Sequence, residues 1–263
     1  MNLTVYQVSL YVVVGLAASA LGSMSGLGGG FIAVPTLYYL GLGPSFAVAT
    51  AKFMVMVNSL VSSIRYSKRL RPPLVLYASV VTPMIATSYL GAYLVSIVPP
   101  KPLAATVSAV LLAGSVRLVV GALRGRDSSR GGRDVPVNRH VVLVGSASGA
   151  LSGLVAGLTG LGGGIVNVPV FMYVLGLTPH RAVSLSMACI LPAAITSVAR
   201  HVADGRVVFN VAIPLAVGAV LGGWVGPRAA MKLSGRALRT AIGIIIAAAS
   251  ARILIESVLT ALT

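Results

Sequence analysis

Acidic residues are nearly missing from this chain. Only Asp127, Asp134, Asp204 and Glu256 occur among 263 residues, against 20 Lys and Arg, so the formal net charge is +16. The scarcity excludes several chemistries. A carrier of divalent cations wants carboxylates or clustered His and Cys, and His140, His180 and His201 show no metal spacing; beside loops, each is expected to be solvated or interfacial. A carboxylate proton relay needs Asp or Glu inside a span. None is central in any apolar run, and Glu256 lies near the end of the last one. No paired carboxylates and no Ser/His/Asp set are present, so neither an enzyme nor a cofactor or metal site is expected. Cysteine is equally scarce. The lone Cys189 permits no intramolecular disulfide and reads as a small buried apolar residue. Charge of both signs reaches only 9%, against about 25% in soluble domains, while 57% of residues are hydrophobic. Such a chain cannot cover a globular surface with polar groups, so its solvent is largely lipid.

Ten apolar stretches are present. Five run over about 5–23, 31–42, 46–64, 74–98 and 102–121; five more run over about 140–158, 165–177, 182–199, 207–227 and 237–260. A bilayer core takes about 20 helical residues, and lipid-exposed backbone has to satisfy its own hydrogen bonds. The expected fold class is therefore all-α, a polytopic, multi-pass membrane protein. No Lys or Arg precedes Lys52, so the positive start of a cleaved signal peptide is missing and the first stretch is expected to stay as a span. Residues 122–139 carry five Arg, two Asp and no period, as expected of a solvated linker. The domains are then a first transmembrane repeat (1–121), a basic cytoplasmic linker (122–139) and a second repeat (140–263). The basic residues sit in gaps between apolar runs, as membrane-flanking charges do; nucleic acid is not an expected partner.

Two blocks break the apolar pattern, "SGLGGGFIAVP" at 25–35 and "TGLGGGIVNVP" at 159–169. From Gly26 to Pro35 and from Gly160 to Pro169, seven of ten positions are identical. Each block opens a segment too short to span: residues 31–42 reach only about 18 Å as a helix. Proline follows five residues past the last glycine and is expected to keep the helix short or kinked. The blocks are not nucleotide loops, because no Lys-Ser/Thr follows and Gly-x-Gly-x-x-Gly spacing fails at Phe31 and Ile165. Glycine lets backbone N–H groups face a ligand, and a helix N-terminus adds about +0.5 charge. Two such termini can hold an anion without a full positive charge deep in lipid. The alternative use of glycine is close helix packing.

The duplication extends further. "GLGPSFAVA" (41–49) lies on "GLTPHRAVS" (176–184), Arg65 on Arg200, Leu90–Gly91 on Leu221–Gly222, and Arg117 on Arg252. Arg117 and Arg252 fall near the ends of their stretches and read as structural, with Glu256 one turn beyond Arg252. The richest basic loops are Arg65, Lys68, Arg69 and Arg71 in the first half, and Arg228, Lys232, Arg236 and Arg239 in the second. Placing both loops and the linker in the cytoplasm requires an odd number of crossings per half. The repeats are then inverted, with both termini outside. If the short stretches instead re-enter and leave on one side, each half has four crossings and the repeats run parallel; the Arg228–Arg239 loop then falls outside, against the charge bias.

The two "GLGGG…P" blocks, "ATAKFMVMVNSL" at 49–60 and the basic mid-chain loop resemble the sulfite exporter TauE/SafE family of membrane permeases. The resemblance implies a multi-pass plasma-membrane transporter for small sulfur-containing anions such as sulfite and organosulfonates. Inverted repeats with short, Gly-interrupted segments point to a midplane site and alternating access. The candidate substrate-binding residues are Gly28, Gly29 and Gly30, Gly162, Gly163 and Gly164, with Lys52, Asn58 and Asn167 as polar groups inside apolar runs. Lys52 either attracts the solute or snorkels. The expected partners are a small anionic solute and the lipid bilayer. The competing expectation is a non-transporting membrane assembly protein, whose glycines only pack helices and whose linker docks a partner.

Overall fold

The computed structural model describes residues 4–70, 73–95, 138–238 and 240–245. Every regular element among them is helical: α1 (Val5–Ser25), α2 (Gly30–Tyr39), α3 (Pro44–Ser67), α4 (Leu74–Leu94), α5 (Arg139–Thr159), α6 (Gly164–Tyr173), α7 (Pro179–Ala203) and α8 (Phe209–Lys232), followed by helical residues 235–238 and 240–245. Six of the numbered helices, all but α2 and α6, are long and apolar enough to cross a membrane. The stretch 102–121, linker residues 122–137, Arg117, Arg252 and Glu256 lie outside the described residues.

Local chemistry explains the boundaries. Thr4 starts α1 with a capping box to Gln7, and Asn138 caps α5 through Val141 N–H. Both helices stop at a left-handed glycine, Gly26 (φ 79°) and Gly160 (φ 72°), the usual helix ending. Pro44 and Pro179 open α3 and α7, where the missing N–H costs nothing. The short helices are ten residues each and enclose Pro35 and Pro169, so each reaches about 15 Å.

Glycine ladders set the long-range register. Along α8, Gly218 meets Val12 and Gly15, Gly222 meets Leu16 and Ala20, and Gly226 meets Ala20 and Ser23. Along α5, Gly145 meets Ser79, Gly149 meets Val80, Gly153 meets Met84 and Gly157 meets Ser88 and Ala92. Numbers rise together in both pairs, so α8 runs parallel to α1 and α5 parallel to α4. Small residues at every fourth position let these backbones approach closely, which drives helix association in lipid.

The remaining contacts fix the directions. Val208, before α8, donates to Thr50 near the start of α3, while Arg65 near its end stacks on Trp224 of α8. Helix α3 therefore also runs with α8. Helix α7 runs against it: His180 at its start reaches Ala230 and Leu233 at the end of α8. Exchanging the halves preserves the packing, because α1 on α8 corresponds to α5 on α4 and α3 on α8 corresponds to α7 on α4. The direction reverses under that exchange. Helices α3 and α7 meet each other and carry most of the buried polar side chains.

Candidate functional site

The two glycine turns meet. A Cβ on Gly28 would lie 3.6 Å from Cα of Gly162, and one on Gly162 would lie 2.5 Å from the Leu27 carbonyl oxygen. Side chains on Gly30 and Gly164 would collide with the carbonyls of Gly160 and Gly26. Each short helix thus begins against the last carbonyl of the other half's first helix. Gly28, Gly29, Gly162 and Gly163 have φ of 88°, 97°, 97° and 83°, a region that L side chains avoid. Steric room and backbone conformation both demand glycine here, so the block is not merely a smooth packing surface.

From this meeting point α2 runs toward the start of α8 and α6 toward its end. Their N-termini face each other at mid-height, and residues 25–31 and 160–168 are buried. Neither N-cap glycine has a side chain to supply a cap. The amides of Gly29, Gly30 and Phe31, and of Gly163, Gly164 and Ile165, find no hydrogen-bond acceptor among the described residues. Buried, unpaired N–H groups are uncommon, and here they gather at two positive helix ends.

The polar residues singled out in the sequence surround this point, each already engaged. Asn58 donates through Nδ2 to the Gly28 carbonyl (2.8 Å) and accepts from Ser62 (3.1 Å). Ser186 donates to the Gly26 carbonyl at 2.7 Å. Lys52 is buried, so it does not snorkel; its Nζ donates to the Ala156 carbonyl at 2.8 Å. The same carbonyl accepts the Gly160 N–H that ends α5, and a cation there complements the helix's negative end. Asn167, on the first turn of α6, accepts from Ser148 (2.7 Å) and points Nδ2 at Met84 sulfur (3.7 Å). From α3, Asn58 thus holds the first glycine turn and Lys52 the last turn of α5 that leads into the second, while Asn167 faces α4 and α5.

One residue departs from expectation. His201 is fully buried, not solvated, and neither ring nitrogen has a partner among the described residues. Helix α7 continues past it to Ala203 and carries it inward. Close by, Asp204 binds Arg200 at 2.9 Å and Arg206 at 3.4 Å. Cys189 is a buried free thiol, as expected.

A family model for the sulfite exporter TauE/SafE matches residues 11–253. The chain belongs to that family. Among the family's relatives, the probable membrane transporter protein YunE of Bacillus subtilis (strain 168) is 26% identical over 271 residues, covering 95% of this chain and 98% of that protein. The probable membrane transporter protein MJ0441 of Methanocaldococcus jannaschii is 28% identical over 188 residues, covering 69% and 67%. Sulfite exporter TauE/SafE family protein 3 of Arabidopsis thaliana is 40% identical over a shorter 78 residues, 29% of this chain and 16% of that protein. No solved structure gives a significant match. Family membership and six apolar helices make this a multi-pass membrane protein of a transporter family.

Proposed function

We propose that the chain is a secondary transporter or facilitator for a small anion, of the sulfur oxyanion or organosulfonate class, working by alternating access around the paired glycine turns. The observation that carries this reading is the convergence of two helix N-termini with unpaired amides, where glycine alone fits. An oxyanion between them would accept those N–H groups and offset two facing positive helix ends. Lys52, Asn58 and Asn167 form the polar surround, Lys52 supplying charge and the amides supplying donors with little desolvation cost. The family name and the relatives' names support transport as the activity, and the acid-poor chain favours an anion over a cation.

In this reading residues 1–121 and 140–263 are inverted repeats joined by a cytoplasmic basic linker, 122–139. The direct contact of the turns is then a closed state. Solute enters when one half moves and the backbones separate. The test is tracer uptake into proteoliposomes of the purified full chain, with sulfite, thiosulfate, sulfate and small sulfonates as labelled solutes. Uptake of at least one of them, with saturation and mutual competition, is expected. Absence of uptake of all of them, in vesicles where the protein is inserted and folded, overturns the reading.

A further inference from the structure

Away from the glycine turns, a cavity of about 430 Å³ opens between the ends of α3 and α8, lined by Arg65, Arg69, Pro227, Arg228, Met231 and Lys232. Among the described residues, four cations and no acid line it. Trp224 lies beneath, with the Arg228 guanidinium 3.4 Å and the Arg65 guanidinium 5.1 Å from its ring centroid. Stacking on one indole holds both arginines at the cavity.

The surface below the cavity is apolar and outward-facing. Leu60 and Ile64 on α3, with Val217, Leu221 and Val225 on α8, are all exposed, and they form a strip that runs from the cavity toward mid-height. Trp224 is exposed between strip and cavity, the level at which indoles sit in a membrane interface. A basic pocket, an interfacial tryptophan and an apolar track, in that order, match the headgroup, glycerol and acyl regions of one lipid.

The opposite end is built differently. Arg200 is the repeat counterpart of Arg65, yet it is paired with Asp204, which also binds Arg206. Asp204 is the one acid among the described residues. Among the described residues, the duplicated arginine is thus paired with an acid at one end and gathered with three other cations at the other.

We propose that the cavity lined by Arg65, Arg69, Arg228 and Lys232 holds the phosphate of an anionic phospholipid, with its acyl chains along the α3–α8 strip. A free phosphate shares the headgroup's chemistry but has no use for the strip, and this decides for the lipid. The site lies apart from the glycine turns, so its assignment and that of the transported solute stand or fall separately.

The test titrates the full chain in neutral detergent with phosphatidylglycerol or phosphatidylcholine, and counts bound lipid by native mass spectrometry. Phosphatidylglycerol is expected to bind at least about tenfold tighter. The Arg65→Gln/Arg228→Gln variant is expected to lose about 30-fold of that affinity, and Lys232→Gln, at an exposed helix end, about fivefold. Arg65→Lys/Arg228→Lys is expected to stay within about threefold of the parent, since charge is kept. Equal affinity for the two lipids overturns the proposal. So does an equal loss in the Lys and Gln variants, which would mark a packing role, and so does displacement of phosphatidylglycerol by millimolar inorganic phosphate, which would mark a site for a dissolved anion.

Discussion

Adding one methyl group at Gly162 tests whether the seam between the glycine turns is part of the transport cycle. In Gly162→Ala the new Cβ stands 2.5 Å from the Leu27 carbonyl oxygen and 3.4 Å from Val55 Cγ1. Such atoms do not settle closer than 3.0 Å, so the turns have to part by about half an ångström. Two costs result. Alanine at φ 97° is strained by about 1–2 kcal/mol, and overpacking adds about 1–3 kcal/mol. Gly41→Ala and Gly176→Ala are the controls: φ is 91° and 70°, and nothing lies within 4 Å of the added atom. They carry the strain without the wedge. The difference, about 1–3 kcal/mol, falls on the closed contact alone and shifts the balance between closed and open forms by about 5- to 150-fold. Thermal unfolding in detergent should therefore order the variants parent, controls, then Gly162→Ala. Tracer uptake in proteoliposomes should fall about tenfold or more in Gly162→Ala relative to both controls. If Gly162→Ala and Gly41→Ala transport equally well, the seam does not lie on the path.

Other expectations follow from the same contacts. Lys52→Met removes the ammonium on Ala156 while keeping the stem; if Lys52 serves the solute, uptake should fall about tenfold or more with the melting temperature little changed, and a parallel fall in both would leave it a helix cap only. Asn58→Leu strands the buried Gly28 carbonyl and should cost about 1–3 kcal/mol, read as a lower melting temperature; an unchanged melt would refute that bond's importance. Cysteines placed at Lys68 and Lys232 should react with an impermeant thiol reagent from the same side of the membrane, since both positions lie at the end where α3 and α8 finish, and labelling from opposite sides would refute the packing directions. A saturating anion should stabilise the parent by about 2–3 kcal/mol at 100 times its dissociation constant, seen as a rise in melting temperature; no rise with any of the four solutes would refute binding at the turns.

Much of this arrangement is legible in the residues. The doubled glycine blocks, the prolines inside them and the short segments they open all reappear, with α2 and α6 a little shorter than the apolar runs suggested. These features are local: a left-handed glycine and a proline act on their own turn. The charge pattern also carried long-range information, because Arg65, Arg69, Arg228 and Lys232 do share one end. What escaped notice depends on which surfaces meet. The ladders Gly145–Gly149–Gly153–Gly157 and Gly218–Gly222–Gly226 show small residues at every fourth position in the sequence, yet their partners on α4 and α1 are set only by the assembled fold. His201 sits beside a loop in the sequence, but its burial depends on α7 being packed through its last turn. Likewise, nothing near Lys52 in the chain reveals that the carbonyl it meets lies 104 residues away.

The seam between Gly28 and Gly162 is made of main chain, and main chain is the part of a protein that point mutation cannot exchange. If solute passes at this seam, as proposed, any change in which solutes pass would have to be made one ring further out, at groups that aim or crowd the turns, such as Asn58, Ser186 and Lys52. Divergence of preference among proteins built this way should be looked for there, with the glycines themselves held fixed as the common hardware.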